Sequence, residues 1–263
     1  MTTFDLTQYV DHIVSVLRHA RWNQTPFGHT VIDDFLPETV ASSAADYCES
    51  LSSLEFTYDS PIERKQAQNQ WHTMPQSIYG LIAGMNHHLI TRQMQTLTDM
   101  SDIFLDAGLH GGGIHRTPSG GHLNLHIDYA IHPKLNAERR LNLIIYLNRE
   151  WQREWGGSLT LWHGNGRPER KFAEIEPTYN RAVIFATGDN SWHGFPDAVT
   201  CPQNRSRVSL AMYYCSLPRP DTERRFKARF VPSESQRHDR TIQSLCAARE
   251  SIDTAERAYR VTP

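Results

Sequence analysis

The sequence lacks the features that mark membrane proteins and nucleic-acid-binding proteins. It contains no apolar run of about eighteen residues, the length that a membrane-spanning helix requires, so no such helix is predicted. The formal net charge is only -2, which provides no broad basic surface to attract nucleic acid or an acidic membrane. We therefore expect neither a nucleic-acid partner nor a membrane partner.

Cysteine is scarce, and the opening residues do not predict an export signal. The four cysteines, at positions 48, 201, 215 and 246, form no CxxC pair. Isolated thiols of this kind are typical of a reducing compartment rather than of a disulfide framework. The opening stretch MTTFDLTQYVDHIV has no basic segment followed by an apolar one, so no signal peptide is predicted. These absences predict a cytoplasmic protein.

The composition and the course of the chain favour one globular domain over residues 1–263. Hydrophobic residues make up 39% and charged residues 21%, and the sequence has no internal repeat and no Ser/Gly linker. We predict a mostly helical N-terminal support over 1–102, a β core over 103–217 and a C-terminal tail over 218–263. The oligomeric state is left open.

Apolar residues at helical spacing predict helices in the first part of the chain. The pattern places one helix after Asp5, a second with Pro37 as its first residue, and a third over about 76–98. HTVIDDFL (29–36) is predicted as a short strand, and the glycine-rich stretch HGGGIHRTPSGG (110–121) as a loop.

The middle of the chain has strand character. Six short segments are rich in β-branched and aromatic residues and are mostly separated by Gly, Asn, Pro or Asp: 123–129, 140–148, 157–164, 172–177, 181–187 and 207–217. This pattern predicts a mainly β fold with flanking helices, in which the strands form an antiparallel barrel or sandwich such as a jelly roll.

The segment HLNLHIDYAIH (122–132) raises the possibility of a metal site. Side chains alternate faces along a strand, so His122, Asn124, His126 and Asp128 are predicted to share one face. His126 and Asp128 can then reach the same ion, whereas His122 is about 13 Å from His126 along an extended strand, too far to join them. A strand with one solvent-exposed polar face and no metal site would give the same pattern.

A third ligand and an anion-binding pair lie further along the chain. His193, in DNSWHGFP, would complete a set of two histidines and one carboxylate, which leaves positions open on an octahedral Fe(II). Arg207 and Ser209 share a strand face, so together they could hold a carboxylate. Arg205 has the same parity and is a rival, but Arg207 directly precedes Ser209 and begins the apolar strand.

These motifs, taken together, resemble a known family. HxD at 126–128, WHG at 192–194 and RxS at 207–209 occur in order, separated by RLNLIIYLNREW, GGSLTLW and IEPTYNRAVIFAT. Over about residues 103–217 the sequence is similar to the 2-oxoglutarate and Fe(II)-dependent dioxygenases, most closely to their prolyl-4-hydroxylase-like branch. The resemblance implies a double-stranded β-helix, which is a form of jelly roll.

The resemblance also implies roles for the candidate residues. His126, Asp128 and His193 would bind iron, and no further catalytic side chain is expected. The following residues would bind or face the cosubstrate 2-oxoglutarate: Arg207 and Ser209 at its distal carboxylate, Tyr146 at the same carboxylate, Asn142 nearby, and Asn124 facing the same cavity.

The implied activity is oxidative. The enzyme would hydroxylate an unactivated C–H bond of a peptide or prolyl group, an amino acid or another small molecule, using Fe(II), 2-oxoglutarate and O2 and releasing succinate and CO2. Ascorbate could serve as a reductant. Two alternatives stay open: a cupin-type metal enzyme that does not use 2-oxoglutarate, and a non-enzymatic β-helix protein that binds a ligand.

For the remaining polar residues of this region we predict ordinary structural or surface roles. The pair Arg139 and Arg140 is predicted to be a solvated strand start, and His132 a residue of the rim or surface. The stretches 110–121 and 129–139 are the expected substrate-binding elements, with the charged C-terminal tail as a further candidate. None of them carries a motif that identifies the substrate.

Overall fold

The computed structural model describes residues 4–258. Positions 1–3 and 259–263, which belong to the predicted helical support and the predicted tail, lie outside the described residues. The helices are α1 (Leu6–His19), α2 (Glu38–Ser50), α3 (Gln76–Gly84), α4 (His88–Thr98), α5 (Arg240–Glu250) and α6 (Ile252–Ala258). The strands are β1 (His29–Ile32), β2 (Phe56–Ser60), β3 (Glu63–Gln68), β4 (Phe104–Leu105), β5 (Gly113–Pro118), β6 (His122–Ile127), β7 (Glu138–Tyr146), β8 (Leu159–His163), β9 (Arg170–Ile175), β10 (Ala182–Ala186), β11 (Trp192–Phe195), β12 (Ser206–Ser216) and β13 (Arg229–Phe230).

The N-terminal helices follow the apolar spacing of the sequence. Helix α1 begins after Asp5, whose carboxylate accepts a hydrogen bond from the backbone N–H of Gln8. Its buried residues, among them Ile13 and Leu17, pack in the main core, whereas Leu6 in the first turn is exposed. Helix α2 begins at Glu38, with Pro37 as the residue before it.

The long helix expected over 76–98 is two helices. Helix α3 ends at Gly84, where the ring of Tyr9 lies 2.6 Å from the position that a Cβ would occupy. The chain then turns, and the side chain of Asn86 accepts a hydrogen bond from the backbone N–H of Leu105 over 3.1 Å. Helix α4 restarts after His87, whose backbone is extended. The segment between α3 and α4 therefore connects the helical layer to the sheet. The apolar periodicity alone did not indicate this break in the helix.

All strand pairs are antiparallel and form one curled sheet around the cavity described below. Its order is β1-β10-β7-β12-β5-β3-β6-β11-β8-β9, with β2 added to β3, β4 to β12 and β13 to β6. The sheet curls into a half-barrel with flanking helices, consistent with the predicted jelly roll. Strands β7 and β12 form the longest pairing of the sheet.

Strand β7 separates the core from the interior of the barrel. Leu143 and Ile145 pack with the helices in the main core. Ile144 and Tyr146 point to the opposite side, into a smaller apolar cluster that includes Val183 of β10. This alternation has the period of two expected for a strand, and it directs the even-numbered positions within 142–146 inward.

Two regions are more β-rich than the sequence indicated. The hairpin of β2 and β3 lies in the part predicted as mostly helical, and β3 bridges β5 and β6 in the sheet. The predicted loop 110–121 contains β5, which pairs with β12 over its whole length. The sequence did not predict this strand because its glycines are typical of turns. Gly113, where β5 begins, has φ of +89°.

None of the helices in the described part of the chain is long and apolar enough to cross a membrane. The division into support, core and tail stays a prediction.

Candidate metal centre

Strands β6 and β11 bring the three predicted ligands together. His126 and His193 are direct cross-strand partners, and Asp128 follows the last residue of β6. Nε2 of His126 lies 3.8 Å from Oδ1 of Asp128, and Nε2 of His193 lies 3.4 Å from Oδ2. The three potential ligand atoms are all within 4.8 Å of one another, a spacing suited to one metal ion.

Both imidazole rings are oriented by the backbone. Nδ1 of His126 is 3.0 Å from the carbonyl oxygen of Asn124, and Nδ1 of His193 is 2.8 Å from that of Ser191. A carbonyl can only accept, so each Nδ1 carries the proton and each Nε2 keeps its lone pair. Burial lowers the pKa of His126 to about 3 and also lowers that of His193. Both rings are therefore neutral at physiological pH, the state in which histidine binds a metal.

Arg139 and Asn142 hold the carboxylate of Asp128. The amide of Asn142 donates to Oδ2 over 2.8 Å, and Nη2 of Arg139 lies 3.1 Å from the same oxygen. Arg139 Nε in turn donates to the amide oxygen of Asn142 over 2.8 Å. Burial alone would raise the pKa of Asp128, but the positive charge of Arg139, with smaller effects from the histidines, holds that pKa well below its usual range. Asn142 thus contacts a predicted metal ligand.

Arg139 was assigned wrongly to a solvated strand start. It is only 4% exposed, and its guanidinium lies 3.3 Å from the centre of the Tyr213 ring. The pairing of β7 with β12 is irregular between Leu141 and Arg139, so a bulge turns Arg139 inward in place of Arg140. Strict alternation counted back from Asn142 would direct Arg140 into the cavity. The one signal that could have pointed to Arg139 is the need for a buried cation beside the predicted carboxylate ligand.

A second irregularity displaces Asn124 from the cavity. Phe195 of β11 pairs with Leu123, whereas His193 pairs with His126, so one extra residue lies in β6 between these pairs. Leu123 and His126 consequently line the same cavity. The amide of Asn124 instead donates to the carbonyl of Val231 over 3.1 Å, so it contacts the segment that follows β13. The expectation that Asn124 faces the cosubstrate cavity is therefore corrected.

Arg207 lies at the inner end of the same cavity. It is 4% exposed, and its Nε donates to the carbonyl of Gly157 over 2.6 Å while Nη2 donates to the hydroxyl of Tyr146 over 3.2 Å. The guanidinium also covers the ring of Phe195 at 4.1 Å. Burial lowers the pKa of Arg207, and no carboxylate within residues 4–258 pairs with it. An incoming anion would stabilise its charge.

Ser209 and Tyr146 flank this arginine, and Arg205 does not reach it. Ser209 and Tyr146 are paired across β12 and β7, and both are buried. Ser209 and Arg207 line the cavity, while Tyr146 reaches it through its hydrogen bond to Arg207. Arg205 lies outside the cavity, 3.5 Å from the carboxylate of Glu150 at the surface. The geometry favours Arg207 over Arg205.

His132 was predicted at the rim or surface, but it is 2% exposed. Its Nδ1 accepts hydrogen bonds from the backbone N–H groups of Lys134 and Leu135, so Nε2 carries the proton and faces Oδ2 of Asp106 at 3.3 Å. Asp106 also accepts from the backbone N–H of His110. His132 therefore ties together two loops beside the cavity. His122 stays outside the ligand group, as expected, and its ring contacts the carbonyl of Pro61.

The candidate ligands open into a cavity of about 420 Å³. Its inner part contains the metal-ligand set and Arg207. Sequence analysis did not connect the β2–β3 hairpin with the site, but it gave the C-terminal tail as a candidate substrate-binding region. The outer wall comes from that hairpin and, within the tail, from the segment before β13 and from α5. The residues they contribute include Phe56, Tyr58, Glu63, Lys65, Phe226, Lys227 and Arg249.

The arrangement fits an iron centre with a dicarboxylate cosubstrate. Two neutral imidazoles and an ionised carboxylate are the donor set of a facial triad with open positions. An unpaired buried guanidinium in the same cavity can hold the far carboxylate of a molecule that reaches the metal. The site thus has the donor groups for one metal ion beside a pocket that can hold an anion.

Comparison with known proteins places this site in a family. The sequence profile described as the 2OG-Fe(II) oxygenase superfamily matches residues 112–215. This segment, which contains all three candidate ligands, is similar to that superfamily, whose name implies Fe(II) and 2-oxoglutarate. The resemblance seen in the HxD, WHG and RxS motifs is confirmed.

Two curated relatives are similar over part of the chain. A segment of 84 residues is 34% identical to prolyl 3-hydroxylase OGFOD1 of Xenopus laevis, and one of 86 residues is 30% identical to prolyl 3-hydroxylase OGFOD1 of Mus musculus. These segments cover 31% and 32% of this chain but only 16% of each relative.

Solved structures of prolyl hydroxylases share the fold. A prolyl-4-hydroxylase of Pseudomonas putida superimposes with a TM-score of 0.52 at 19% identity, over 79% of this chain and 98% of that one. A prolyl hydroxylase of Trichoplax adhaerens, in complex with a peptide fragment of the hypoxia inducible factor oxygen degradation domain, gives 0.53 at 15% identity, over 82% and 94%. The predicted jelly-roll core with flanking helices is confirmed.

Proposed function

We propose that this protein is a 2-oxoglutarate-dependent Fe(II) oxygenase that hydroxylates an unactivated C–H bond and releases succinate and CO2. The observation that carries the proposal is the presence, in one cavity, of the triad His126, Asp128 and His193 and of the unpaired Arg207. A cupin-type enzyme without 2-oxoglutarate, or a β-helix protein that only binds a ligand, would not need this buried cation.

The residues of the chain have distinct roles in this proposal. His126, Asp128 and His193 would hold Fe(II), and Arg207, Ser209 and Tyr146 the distal carboxylate of 2-oxoglutarate. When bound, iron and 2-oxoglutarate supply the oxidising chemistry.

The surrounding residues position the ligands and enclose the site. The carbonyl groups of residues 124 and 191 fix the two histidine rings, and Arg139 and Asn142 fix the carboxylate of Asp128. The ring of Phe230 stacks on that of His126 with centroids 4.9 Å apart and excludes water from one side.

The substrate in this proposal is a prolyl group in a peptide, an amino acid or another small molecule. The curated relatives and the two solved structures described above are named as prolyl hydroxylases, which supports the first class. The proposed setting is the cytoplasm, with substrate and O2 as partners and neither nucleic acid nor a membrane involved.

Succinate formation tests the proposal directly. The purified protein, supplied with Fe(II), 2-oxoglutarate, O2 and ascorbate, should convert 2-oxoglutarate to succinate, slowly without substrate. His126→Ala should abolish this conversion, because the triad then loses a ligand. A wild-type protein that binds Fe(II) but forms no succinate, alone or with any prolyl peptide, would contradict the proposal.

A further inference from the structure

The strand pairing of β6 ends just before the ligand Asp128. Strand β6 ends at Ile127, and its pairing with β13 ends at the same residue, opposite Arg229. Asp128 therefore lies at the start of a loop, where loop backbone is more mobile than a strand unless other groups hold it. The groups that hold it belong to the C-terminal segment.

Arg225 holds this loop with both its side chain and its backbone. Its Nη1 donates to the backbone carbonyl of Asp128. The backbone carbonyl of Arg225 accepts hydrogen bonds from the N–H groups of Ala130 and Ile131, over 2.7 and 3.0 Å. One residue of the C-terminal segment thus fixes the backbone that directly follows the ligand carboxylate.

The same guanidinium reaches the loop that orients His193. Its Nη2 lies 2.9 Å from Oδ1 of Asp189. Asp189 lies in a turn where the N–H of Gly188 donates to the hydroxyl of Ser191 over 3.0 Å. The backbone carbonyl of Ser191 in turn faces Nδ1 of His193 at 2.8 Å. Arg225 therefore connects the loop that carries one candidate ligand to the loop that orients another.

Arg225 is buried and has a third partner. Its side chain is only 3% exposed, and its Nε donates to Oε2 of Glu223 over 3.2 Å. A planar guanidinium presents its N–H groups in fixed directions, so it can bind one carbonyl and two carboxylates at once. A lysine ammonium cannot reproduce this fork, because its three donors lie on a single nitrogen.

Arg225 lies behind the metal-ligand set, outside the cavity into which the ligands open. It lines a separate cavity of about 130 Å³, together with Asp189 and Glu223, and is not among the residues that line the larger one. It also lies outside residues 112–215, which match the family profile. Any effect of Arg225 on the metal therefore acts through the two ligand loops.

We propose that Arg225 is a positioning residue of the metal centre, which holds Asp128 and His193 in the geometry that binds the ion. Removing its side chain would release both loops while leaving all three ligand side chains in the protein. This role deepens the proposed function and rests on it for the identity of the metal ligands.

Metal affinity tests this role without any turnover. The metal-free wild type and variants are titrated with Mn(II), and free Mn(II) is followed by electron paramagnetic resonance. Arg225→Met should bind Mn(II) about 10- to 100-fold more weakly than the wild type, the usual effect of losing a group that orients metal ligands. Removing a positive charge by itself favours binding of a cation, so a loss of affinity reports positioning rather than charge.

Arg229→Met is the matched control. Arg229 belongs to the same C-terminal segment, and it pairs with Glu223 at 3.1 Å and with Glu250 at 2.7 Å rather than with either ligand loop. Its replacement removes the same charge and one anchor of the segment, and it should leave Mn(II) affinity close to that of the wild type. Thermal unfolding of each variant checks that it is folded.

Two further measurements separate positioning from a general structural role. The visible absorption of bound Co(II) depends on the arrangement of its ligands, so Arg225→Met should shift this spectrum and Arg229→Met should not. Asp189→Asn should weaken Mn(II) binding in the wild type but not in Arg225→Met, where the ion pair is already lost. An equal effect of Asp189→Asn in both backgrounds would overturn the connection to the His193 loop.

Equal Mn(II) affinities for Arg225→Met and Arg229→Met would overturn the positioning role. If Arg225→Met does not fold, Arg225→Lys replaces it: it keeps the charge but not the fork, so its affinity should still fall, and wild-type affinity would overturn the role. Succinate formation is measured separately on the wild type. A wild type that binds Mn(II) but forms no succinate would contradict the proposed oxygenase activity, while the effect of Arg225 on metal binding stays measurable.

Discussion

At the scale of single residues, the carboxylate of Asp128 connects the metal-ligand set to the rest of the barrel. Its Oδ2 is held by Asn142 and Arg139, and its backbone carbonyl accepts a hydrogen bond from Arg225. Arg225 also pairs with Asp189 on the far side, at 2.9 Å. Replacing a group that orients a metal ligand in this way commonly lowers metal affinity or activity about 10- to 100-fold.

Replacing Arg139 should therefore weaken metal binding. Arg139→Met removes the cation that orients Asp128, and we expect the affinity for Mn(II) to fall about 10- to 100-fold. Titration of the metal-free protein with Mn(II), followed by electron paramagnetic resonance, measures the affinity. Arg140→Met is the matched control, since Arg140 points away and donates to the hydroxyl of Ser216. Equal affinities for the two variants would show that Arg139 does not support the ligand.

Arg207 and Arg205 can be separated in the same way. Arg207→Met should weaken 2-oxoglutarate binding about 30-fold or more, since losing one partner of a buried charge pair costs about 2–5 kcal/mol. Arg205→Met should change it little, because Arg205 lies at the surface beside Glu150. Calorimetric titration of the Mn(II)-loaded proteins with 2-oxoglutarate gives both values. Loss of binding in the Arg205 variant alone would reverse the assignment.

At the scale of strands and helices, irregular pairings decide which side chains face the cavity. The shifts in β6 and β7 move Leu123 and Arg139 inward and leave Asn124 and Arg140 outside. The start of β5 is equally constrained, because Gly113 approaches the backbone of β3. A Cβ on Gly113 would lie 2.1 Å from the carbonyl oxygen of Gln68.

Gly113→Ala should therefore destabilise the sheet more than an ordinary glycine replacement at positive φ. Gly166 also has positive φ, +75°, but no atom lies within 4 Å of a Cβ placed there. Gly166→Ala should lower the free energy of unfolding by about 1–2 kcal/mol, the cost of a left-handed backbone for a residue with a Cβ. Gly113→Ala should cost clearly more, because backbone atoms must also move. Urea denaturation measures both, and equal losses would contradict the steric argument.

At the scale of the whole molecule, folding places uncharged histidines and the buried cation of Arg207 in one interior. The helices and the outer face of the sheet form the main core, and the inner face carries polar groups. Burial of His126 makes its protonation unfavourable in the folded protein only. Stability and pH are therefore linked in the metal-free state.

The metal-free protein should lose stability in mild acid. His126 has a pKa of about 3 when folded and about 6.5 when unfolded, so the unfolded chain binds more protons between these values. Its stabilising contribution is complete above pH 6.5 and is lost as pH falls towards 3. Between pH 6.5 and 5 this residue alone should cost up to about 2 kcal/mol.

Urea denaturation of the metal-free protein at several pH values measures this loss. His126→Gln should show a shallower dependence on pH, because its side chain does not titrate. An equal slope for the wild type and the variant would contradict the assigned direction of the pKa shift.

Much of the fold was accessible from the sequence, because period-two alternation and turn residues are local signals. Strands β7, β8, β10 and β12 were predicted within about two residues, the usual uncertainty of a strand boundary. The β2–β3 hairpin was not predicted, because β3 is stabilised by distant partners in β5 and β6 rather than by its own polar sequence. The break between α3 and α4 likewise depends on a contact with β4.

The short motifs HxD, WHG and RxS were enough to indicate the family resemblance and the residue types of the centre, because they lie in the local sequence. The neighbours that surround these motifs became known from the fold. Arg139 rather than Arg140 reaches Asp128, Asn124 turns away, and Lys65 and Arg249 join the cavity from distant elements. The physical reason is that bulges and long-range strand pairing shift side-chain direction without changing local sequence pattern.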